Sequence, residues 1–293
     1  MFNKDFKSIL ELTKVFSSEQ KCIEHLEELY WKGKPISPFD VKSVVYKCKD
    51  NQYRCKNTGK YFNVKTGTLF EGTKLGLQKC FLAIWLITCH KKGISSIQLS
   101  RDLGVTQKTA WFLAHRIRKC FSIENEGELE GTVSADESFV AGKSKNRHKD
   151  KKVPMSQDRS FKDKTPVLGL LQRGGKLRAI VIGDTKAKTI QPIIKNIVKL
   201  NSTLISDEWL GYRGIGAYYK HYVVDHSKKQ YVDYNNPEIH TNDIEGFWGI
   251  MKRGYNGIYN WWSKKHMQKY VDEFVFRYNL RKMSSGERFN FLL

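Results

Sequence analysis

The most constraining feature of this 293-residue sequence is a set of acidic residues placed in otherwise apolar elements of its second half. Asp136 interrupts the predicted strand 132–140, and Asp207 ends the short apolar strand 203–207. Glu245 falls in the first turns of a predicted helix. A carboxylate inside a strand is costly to bury unless it is paired or binds a metal ion. The three acids therefore predict an open site at which their elements meet.

The pattern around these acids predicts a mixed α/β core with the element order β-β-β-α-β-α-β-α. Two of its strands, 166–173 and 176–183, are joined by a Gly-Gly hairpin signal, and a helical apolar stripe covers 185–200. Carboxylates from different elements of such a core can converge on two Mg²⁺ ions, because hard cations prefer oxygen ligands. Two such ions clamp the attacking and leaving oxygens of a phosphodiester. Surface acids held in ion pairs are the alternative interpretation.

The net charge indicates the class of partner. The chain has 51 Lys and Arg against 30 Asp and Glu, a formal charge of +21, which argues against an ordinary enzyme of neutral metabolites. Phosphate backbones are the commonest polyanion that such a charge attracts. A local maximum at Lys143–Lys164 predicts a surface loop that meets nucleic acid phosphates, a solvated linker being the alternative.

Composition also limits the compartment. Hydrophobic residues make up 40% of the chain, which excludes wholesale disorder. No apolar run approaches the roughly 18–20 residues needed to cross a bilayer, and the first residues lack an apolar signal core. Six cysteines do not make a disulfide framework in a chain of this length. We therefore expect a cytoplasmic protein with no membrane partner.

A helix-turn-helix is predicted in residues 93–118. Ser95 caps its first helix, Gly104 permits a left-handed turn residue, and Thr106 caps the second helix. The first turn of a recognition helix presents side chains to base edges, and basic residues further along it reach phosphates. An ordinary helical hairpin is the alternative. The candidate DNA-contacting residues on the second helix are Gln107, Lys108, Thr109, Arg116 and Arg118.

The first 70 residues predict a helix after Ser18 and then a small sheet of short strands. A structural zinc ion needs four ligands, supplied as two close pairs. Cys48 and Cys55 are seven residues apart, and Thr58 occupies the position where a second ligand would follow Cys55. Thr is not a zinc ligand, so a zinc site is not expected.

Residues 132–282 resemble the DDE class of cut-and-paste transposases, and most closely the bacterial insertion-sequence branch related to Merlin elements. Three motifs carry the resemblance, namely Asp136-Glu-Ser-Phe-Val, Ser206-Asp-Glu-Trp and the segment 240–253, His-Thr-Asn-Asp-Ile-Glu-Gly-Phe-Trp-Gly-Ile-Met-Lys-Arg. The family implies a ribonuclease-H-like mixed sheet with flanking helices, preceded by a zinc ribbon and a helix-turn-helix. The expected domains are 1–72, a degenerate ribbon-like region, 73–125, the helix-turn-helix region, and 130–285, the catalytic core.

The ribbon departs from the family pattern, because Ser37, Asp40 and Thr58 stand where the family usually has cysteines and only Cys55 remains. In the core, the resemblance implies that Asp136 bridges two Mg²⁺ or Mn²⁺ ions while Asp207 and Glu245 hold one each. Asn242, one turn before Glu245, is an alternative ligand. Glu137, Glu208 and Asp225 lie close by and are the acids most easily mistaken for the assigned three. Two basic residues further along the same helix, Lys252 and Arg253, are expected to contact terminal DNA.

The function implied is transposition. The chain would bind the inverted repeats at the ends of its insertion sequence, cut the strand there, and join the freed 3′-hydroxyl to target DNA, acting as a homo-oligomer on double-stranded DNA. Two alternatives share the same residues. One is a DNA-binding regulator with an inactive nuclease-like domain, and the other is a structure-specific nuclease without strand transfer.

Overall fold

A computed structural model describes residues 6–140, 148–151, 164–224 and 239–293. The chain forms two compact units, the first made of residues 1–120 with 282–293 and the second of residues 121–281. The basic stretch Lys143–Lys164 lies largely outside the described residues, and Asp225 lies outside them as well. Within the described ranges, no helix is both long and apolar enough to cross a membrane.

The first unit combines short strands with helices. Its helices are α1 (Ile9–Val15), α2 (Glu19–Trp31), α3 (Leu77–Cys89), α4 (Ser96–Leu103), α5 (Gln107–Cys120) and α9 (Ser285–Leu292). Its antiparallel sheet has the order β1-β2-β3, with β1 at Val45–Lys47, β2 at Tyr53–Cys55 and β3 at Tyr61–Phe62. The apolar helix α3 is the centre of the unit, and the Phe81 ring on it lies 4.8 Å from that of Phe16 and 5.7 Å from that of Phe289.

Helices α4 and α5 are joined by a tight turn at the predicted position. The Ser95 hydroxyl accepts a hydrogen bond from the Gln98 amide at 3.1 Å, so it caps α4. Gly104 ends α4 with φ of +59°, a conformation that glycine adopts without steric cost. The Thr106 hydroxyl accepts from the Thr109 amide at 3.3 Å at the start of α5. These capping bonds explain why two short polar helices begin and end where they do.

The second unit is built on a five-stranded mixed sheet of order β6-β5-β4-β7-β8. Its strands are β4 (Thr132–Val140), β5 (Thr165–Gln172), β6 (Leu177–Val181), β7 (Thr203–Asp207) and β8 (Lys220–Val224), and its helices are α6 (Ala187–Ile197), α7 (Asn242–Gly254) and α8 (Met267–Asn279). Strands β4, β5 and β6 pair antiparallel, whereas β7 pairs parallel with both β4 and β8. Helix α6 packs on one face, and α7 and α8 pack on the other. This is the mixed sheet with flanking helices expected of a ribonuclease-H-like core.

The predicted helix between β7 and β8 is wrong. The structure has only two single turns of 3₁₀-helix there, at 210–212 and 215–217. Gly214 adopts φ of +88°, which interrupts regular helix. At Gly211 an added Cβ would lie 2.7 Å from the Thr185 carbonyl oxygen, so the backbone approaches its neighbour too closely for a side chain. The glycines therefore favour a compact connection rather than an α-helix.

The outer edge of β6 is closed by side-chain amides. Asn279 donates to the Leu177 carbonyl at 3.0 Å and accepts from the Leu177 amide at 2.8 Å. Asn125 makes the same pair of bonds with Ala179, at 2.7 and 3.0 Å. Gln268 also donates to the Ala179 carbonyl, at 3.0 Å. These carboxamides replace a neighbouring strand and satisfy backbone groups that an edge strand otherwise leaves open.

Candidate active site

The parallel pairing of β4 and β7 brings the first two predicted acids together. Their ladder ends where Ser134 pairs with Ile205. Asp136 and Asp207 each lie two residues further on, and side chains two residues apart in a strand share a face. Both carboxylates therefore lie on one face of the sheet, where the parallel strands end. Crevices at the carboxyl ends of parallel strands are the usual location of sites in open α/β sheets.

Three carboxylates meet at this point. Ligand oxygens of Asp136, Glu137 and Asp207 all lie within 4.8 Å of one another. Asp207 is buried, and the other two are partly buried. Burial, the charge of Asp207 and the charge of Glu245 together raise the pKa of Asp136 to about 6, against the effect of its hydrogen bonds. The raised pKa reflects negative charge concentrated where water does little to screen it.

Both oxygens of Asp136 are held by hydrogen bonds. The indole N–H of Trp248 donates to Oδ2 at 2.9 Å, and the backbone amide of Glu137 donates to Oδ1 at 2.8 Å. Trp248 lies on α7 and is buried. The orientation of the Asp136 carboxylate is therefore fixed by a side chain from a different element, before any ligand binds.

A glycine on β5 makes this contact possible. Gly169 pairs with Asp136 across the β4–β5 ladder, so it lies on the same face. A Cβ at Gly169 would lie 2.6 Å from Trp248 Cζ2 and 2.9 Å from Ile244 Cδ1, closer than real side-chain contacts. Helix α7 thus packs directly on the sheet at this position. Glu245, one turn before Trp248, is exposed, and its charge acts on Asp136.

Glu137 is held from the other side of the strand. The phenol of Tyr212 donates to Glu137 Oε1 at 2.5 Å. Tyr212 is only 1% exposed, and burial followed by the charge of Glu137 raises its pKa well above the usual value. The phenol therefore stays protonated and remains a hydrogen-bond donor to Glu137 through the physiological pH range.

Asp207 is fixed by the turn that follows β7. Its Oδ1 accepts a hydrogen bond from the Trp209 amide at 3.1 Å. The Trp209 indole in turn donates to the Thr185 carbonyl at 2.9 Å. The adjacent Glu208, an alternative acid in the sequence, is exposed.

The donor set fits a hard divalent cation. Carboxylate oxygens are the ligands that Mg²⁺ and Mn²⁺ prefer, and crowded acids at one strand end offset their repulsion by binding such an ion. The charge of Glu245 is also felt at this point, since it raises the pKa of Asp136. Asn242 is exposed at the first residue of α7. The structure therefore adds Glu137 to the predicted set without removing Glu245.

The predicted contacts on the first turn of α5 differ in accessibility. Lys108 is exposed. Gln107 is exposed too, but its amide donates to the Ser96 hydroxyl at 2.8 Å and so helps to join α5 to α4. The Thr109 hydroxyl lies 2.9 Å from that of Thr106, within the cap of the helix. Of these three side chains, Lys108 alone makes no hydrogen bond or ion pair within the described part of the chain.

The predicted phosphate contacts divide in the same way. Arg116 on α5 is exposed, as are Lys252 and Arg253 near the end of α7. Arg118 is only 2% exposed. The prediction that Arg118 reaches a phosphate therefore does not agree with the structure. Its place in the helical period explains the difference, since it directly follows the inward-facing Ile117.

Hydroxyl groups surround Cys55 of the three-stranded sheet. Burial raises the pKa of this thiol, but hydrogen bonds from Ser37, Ser43 and Thr58 outweigh that effect and lower it to about 6. Asp40, at a family cysteine position, instead accepts from the Asn57 amide at 2.7 Å. Hydroxyl donors therefore occupy the surroundings of the one remaining family cysteine.

Sequence reasoning missed the side chains that hold the acids. Glu137 was named from the sequence only as an acid that could be confused with the assigned three, and not as a further member of the site. Trp248 stands three residues after Glu245 in the predicted helix, where an aromatic residue indicates core packing. The hydrogen bond from Trp248 to Asp136 requires the close approach of α7 at Gly169. No pattern in the sequence relates this strand glycine to Trp248 or to Asp136, so the bond could not be predicted.

Comparisons with known proteins identify the core. The family model of the ISXO2-like transposase domain matches residues 128–279. An uncharacterised protein in transposable element ISH50 of Halobacterium salinarum is 26% identical over 284 residues, covering 90% of this chain and 92% of that protein. An uncharacterised transposase-like protein of Haemophilus influenzae is 27% identical over 114 residues, covering 38% of this chain and 86% of its own length. Among solved structures, a pre-cleavage Mos1 transpososome aligns at 12% identity over 100% of this chain and 97% of that chain, with a TM-score of 0.29.

Proposed function

Because this chain belongs to the family of ISXO2-like transposase domains, we propose that it is a DDE-class DNA transposase that cuts and joins DNA at the carboxylate site of its five-stranded sheet. The observation that carries the proposal is the convergence of Asp136, Glu137 and Asp207 within 4.8 Å at the end of two parallel strands. Its substrates are the double-stranded ends of the insertion sequence and the target DNA.

Asp136, Asp207 and Glu245 would hold divalent metal ions, with Glu137 as a further oxygen donor. Such ions, when bound, make water or a 3′-hydroxyl a better nucleophile and stabilise the leaving oxygen. The chain's own contribution is preorganisation. Trp248 and the Glu137 amide fix the two oxygens of Asp136, and the Trp209 amide fixes Asp207, so the carboxylates need no rearrangement before they bind a ligand.

DNA contacts would come from both units. On α5, the exposed Lys108 and Arg116 suit phosphate contacts, and Gln107 suits a base edge if it exchanges its bond to Ser96. On α7, Lys252 lies seven residues after Glu245, close to the same helical face, and Arg253 is its neighbour. A terminal phosphodiester bound at the carboxylates would lie within reach of Lys252 and Arg253.

The decisive test is Mg²⁺-dependent cleavage of duplexes that carry the element ends. We expect Asp136→Asn and Asp207→Asn to lower the rate at least about 1000-fold, because each removes a metal ligand. Glu130→Gln is the matched control, since Glu130 is an exposed acid of the same unit whose ion pair is with Lys199 rather than with the site. Full activity in either Asn variant would refute the assignment. Tight DNA binding by a parent protein that never cleaves would instead identify a regulator.

A further inference from the structure

The outer face of the three-stranded sheet carries one continuous row of side chains. In the strand register, Tyr46 pairs with Arg54, and Arg54 pairs with Tyr61. Tyr46 is 48% exposed and Tyr61 is 60% exposed, whereas Tyr53 and Phe62 on the opposite face are buried. A row across β1, β2 and β3 therefore faces solvent, although two of its three members are aromatic.

The stretch of chain that carries this face has a strong excess of positive charge. Residues 41–61 contain a single acid, Asp50. None of the basic residues in this stretch forms an ion pair with any carboxylate of the described chain, and all of them are exposed. The basic residues are Lys42, Lys47, Lys49, Arg54, Lys56 and Lys60. Their charge is therefore available to an external anion.

Aromatic rings hold two of these cations in place. The Arg54 guanidinium carbon lies 5.8 Å from the centre of the Tyr61 ring, and Lys60 Nζ lies 5.1 Å from that of Phe39. A guanidinium stacked on a ring keeps the N–H donors at its edge free to bind phosphate oxygens. The phenols of Tyr46 and Tyr61 make no hydrogen bond within the described residues, so they too can donate to phosphate.

We propose that this surface, the basic–aromatic face defined by Tyr46, Arg54, Lys56 and Tyr61, binds the sugar–phosphate backbone of double-stranded DNA. The inference rests on the proposed function in taking DNA as the substrate, and it adds a contact surface distant in sequence from α5. The row spans about 10 Å across three strands, from a strand spacing of about 4.8 Å. Side chains extend it further, so it fits along a backbone rather than inside a major groove about 12 Å wide. The face supplies affinity without sequence readout.

The test measures salt-dependent binding of the full chain, in EDTA to prevent cleavage, to a 30-base-pair duplex of random sequence by fluorescence anisotropy. The double variant Arg54→Ala and Lys56→Ala removes two cations of the face, since Lys56 follows Arg54 by two residues and the ladder continues there through its amide bond to Val44. Each lost phosphate contact lowers the slope of log affinity against log salt by about 0.9, so we expect the slope to fall by about 1.8. Affinity should fall at least about tenfold at 100 mM salt, and equally for duplexes of different sequence.

The control is a double variant with the same charge change elsewhere, Lys14→Ala and Lys188→Ala, both at exposed positions. If the two double variants bind with the same slope and affinity, the proposal is wrong. A loss confined to one DNA sequence, or to RNA duplexes, would also overturn it. Because every substituted residue is exposed, circular dichroism should show both variants folded.

The outcome separates this inference from the proposed function. A parent chain that binds DNA through the face but shows no Mg²⁺-dependent cleavage contradicts the transposase proposal and leaves the inference standing. A parent that cleaves, with the face variant indistinguishable from the control in binding, contradicts the inference alone.

Discussion

Cys55 in the three-stranded sheet and Asp136 in the five-stranded sheet are both acidic groups at positions where the family resemblance implies a metal, and their surroundings are opposite. Hydroxyl donors surround Cys55 and lower its pKa to about 6. Burial and the carboxylates Asp207 and Glu245 raise the pKa of Asp136 to about 6. The protein therefore favours the anionic form of the first group and disfavours that of the second, which an external cation would stabilise. Hydrogen bonds can thus replace metal ligands around Cys55 in the three-stranded sheet. At Asp136, the concentrated negative charge still favours binding of a metal ion.

Metal removal is expected to produce the largest contrast between the two regions. EDTA should reduce DNA cleavage below detection, and Mg²⁺ or Mn²⁺ should restore it, because only the carboxylate site needs a cation. The fold of the ribbon and its binding to random-sequence duplex should not change. Elemental analysis of the purified chain provides the check on the ribbon, since one zinc ion per chain would contradict the comparison.

The next largest effect is expected from a substitution that disturbs the packing of α7 on the sheet, and it should appear in the free energy of unfolding. Gly169→Ala places a Cβ 2.6 Å from the Trp248 ring, so either the helix shifts or the ring rotates away from Asp136. Overpacking of this kind costs about 1–3 kcal/mol, and the free energy of unfolding from urea titration measures it. We also expect weaker Mn²⁺ binding, because the Asp136 carboxylate loses its fixed orientation.

The control for this substitution lies on α7 itself. Gly246 is exposed, and nothing lies within 4 Å of an added Cβ there. Gly246→Ala should therefore be neutral or stabilise by up to about 1 kcal/mol, since Ala favours helix over Gly. Equal losses of stability at the two positions would mean that the Trp248 contact is not responsible.

These two glycines show what the sequence could and could not predict. Strand and helix positions of Asp136, Asp207 and Glu245 followed from periodicity, because each acid interrupts or ends an apolar pattern. The side chains that orient them did not, since Trp248 reaches Asp136 only through packing across three elements. Arg118 was placed wrongly for the same reason, as local charge says nothing about which face of α5 becomes covered. The helix expected between β7 and β8 failed where glycines at 211 and 214 allow close backbone contact.

Replacing Asp136 by Asn tests the cost of the uncompensated charge. A carboxyl whose pKa is raised in the folded state binds more protons folded than unfolded between pH 4 and 6, so stability falls as pH rises through this window. Asn keeps an oxygen that can accept from Trp248 but carries no charge. In EDTA, we expect equal stability of the two proteins near pH 4 and an advantage of about 1–3 kcal/mol for Asp136→Asn at pH 7. If the difference in unfolding free energy between the parent and Asp136→Asn is the same at pH 4 and pH 7, the negative charge of Asp136 does not destabilise the fold.

The three-stranded sheet should show an effect of the opposite sign. Because the Cys55 pKa is lowered in the folded state, the unfolded chain binds more protons between pH 6 and 9, and stability rises with pH across that window. Cys55→Ser keeps a hydrogen-bonding group among Ser37, Ser43 and Thr58 but does not titrate there. Thermal midpoints at pH 6 and 9 should therefore rise more in the parent than in Cys55→Ser. Parallel pH profiles would mean that the surrounding hydroxyls hold a neutral thiol. The apolar packing of Tyr53 and Phe62, rather than hydrogen bonds in place of metal ligands, would then stabilise the three-stranded sheet.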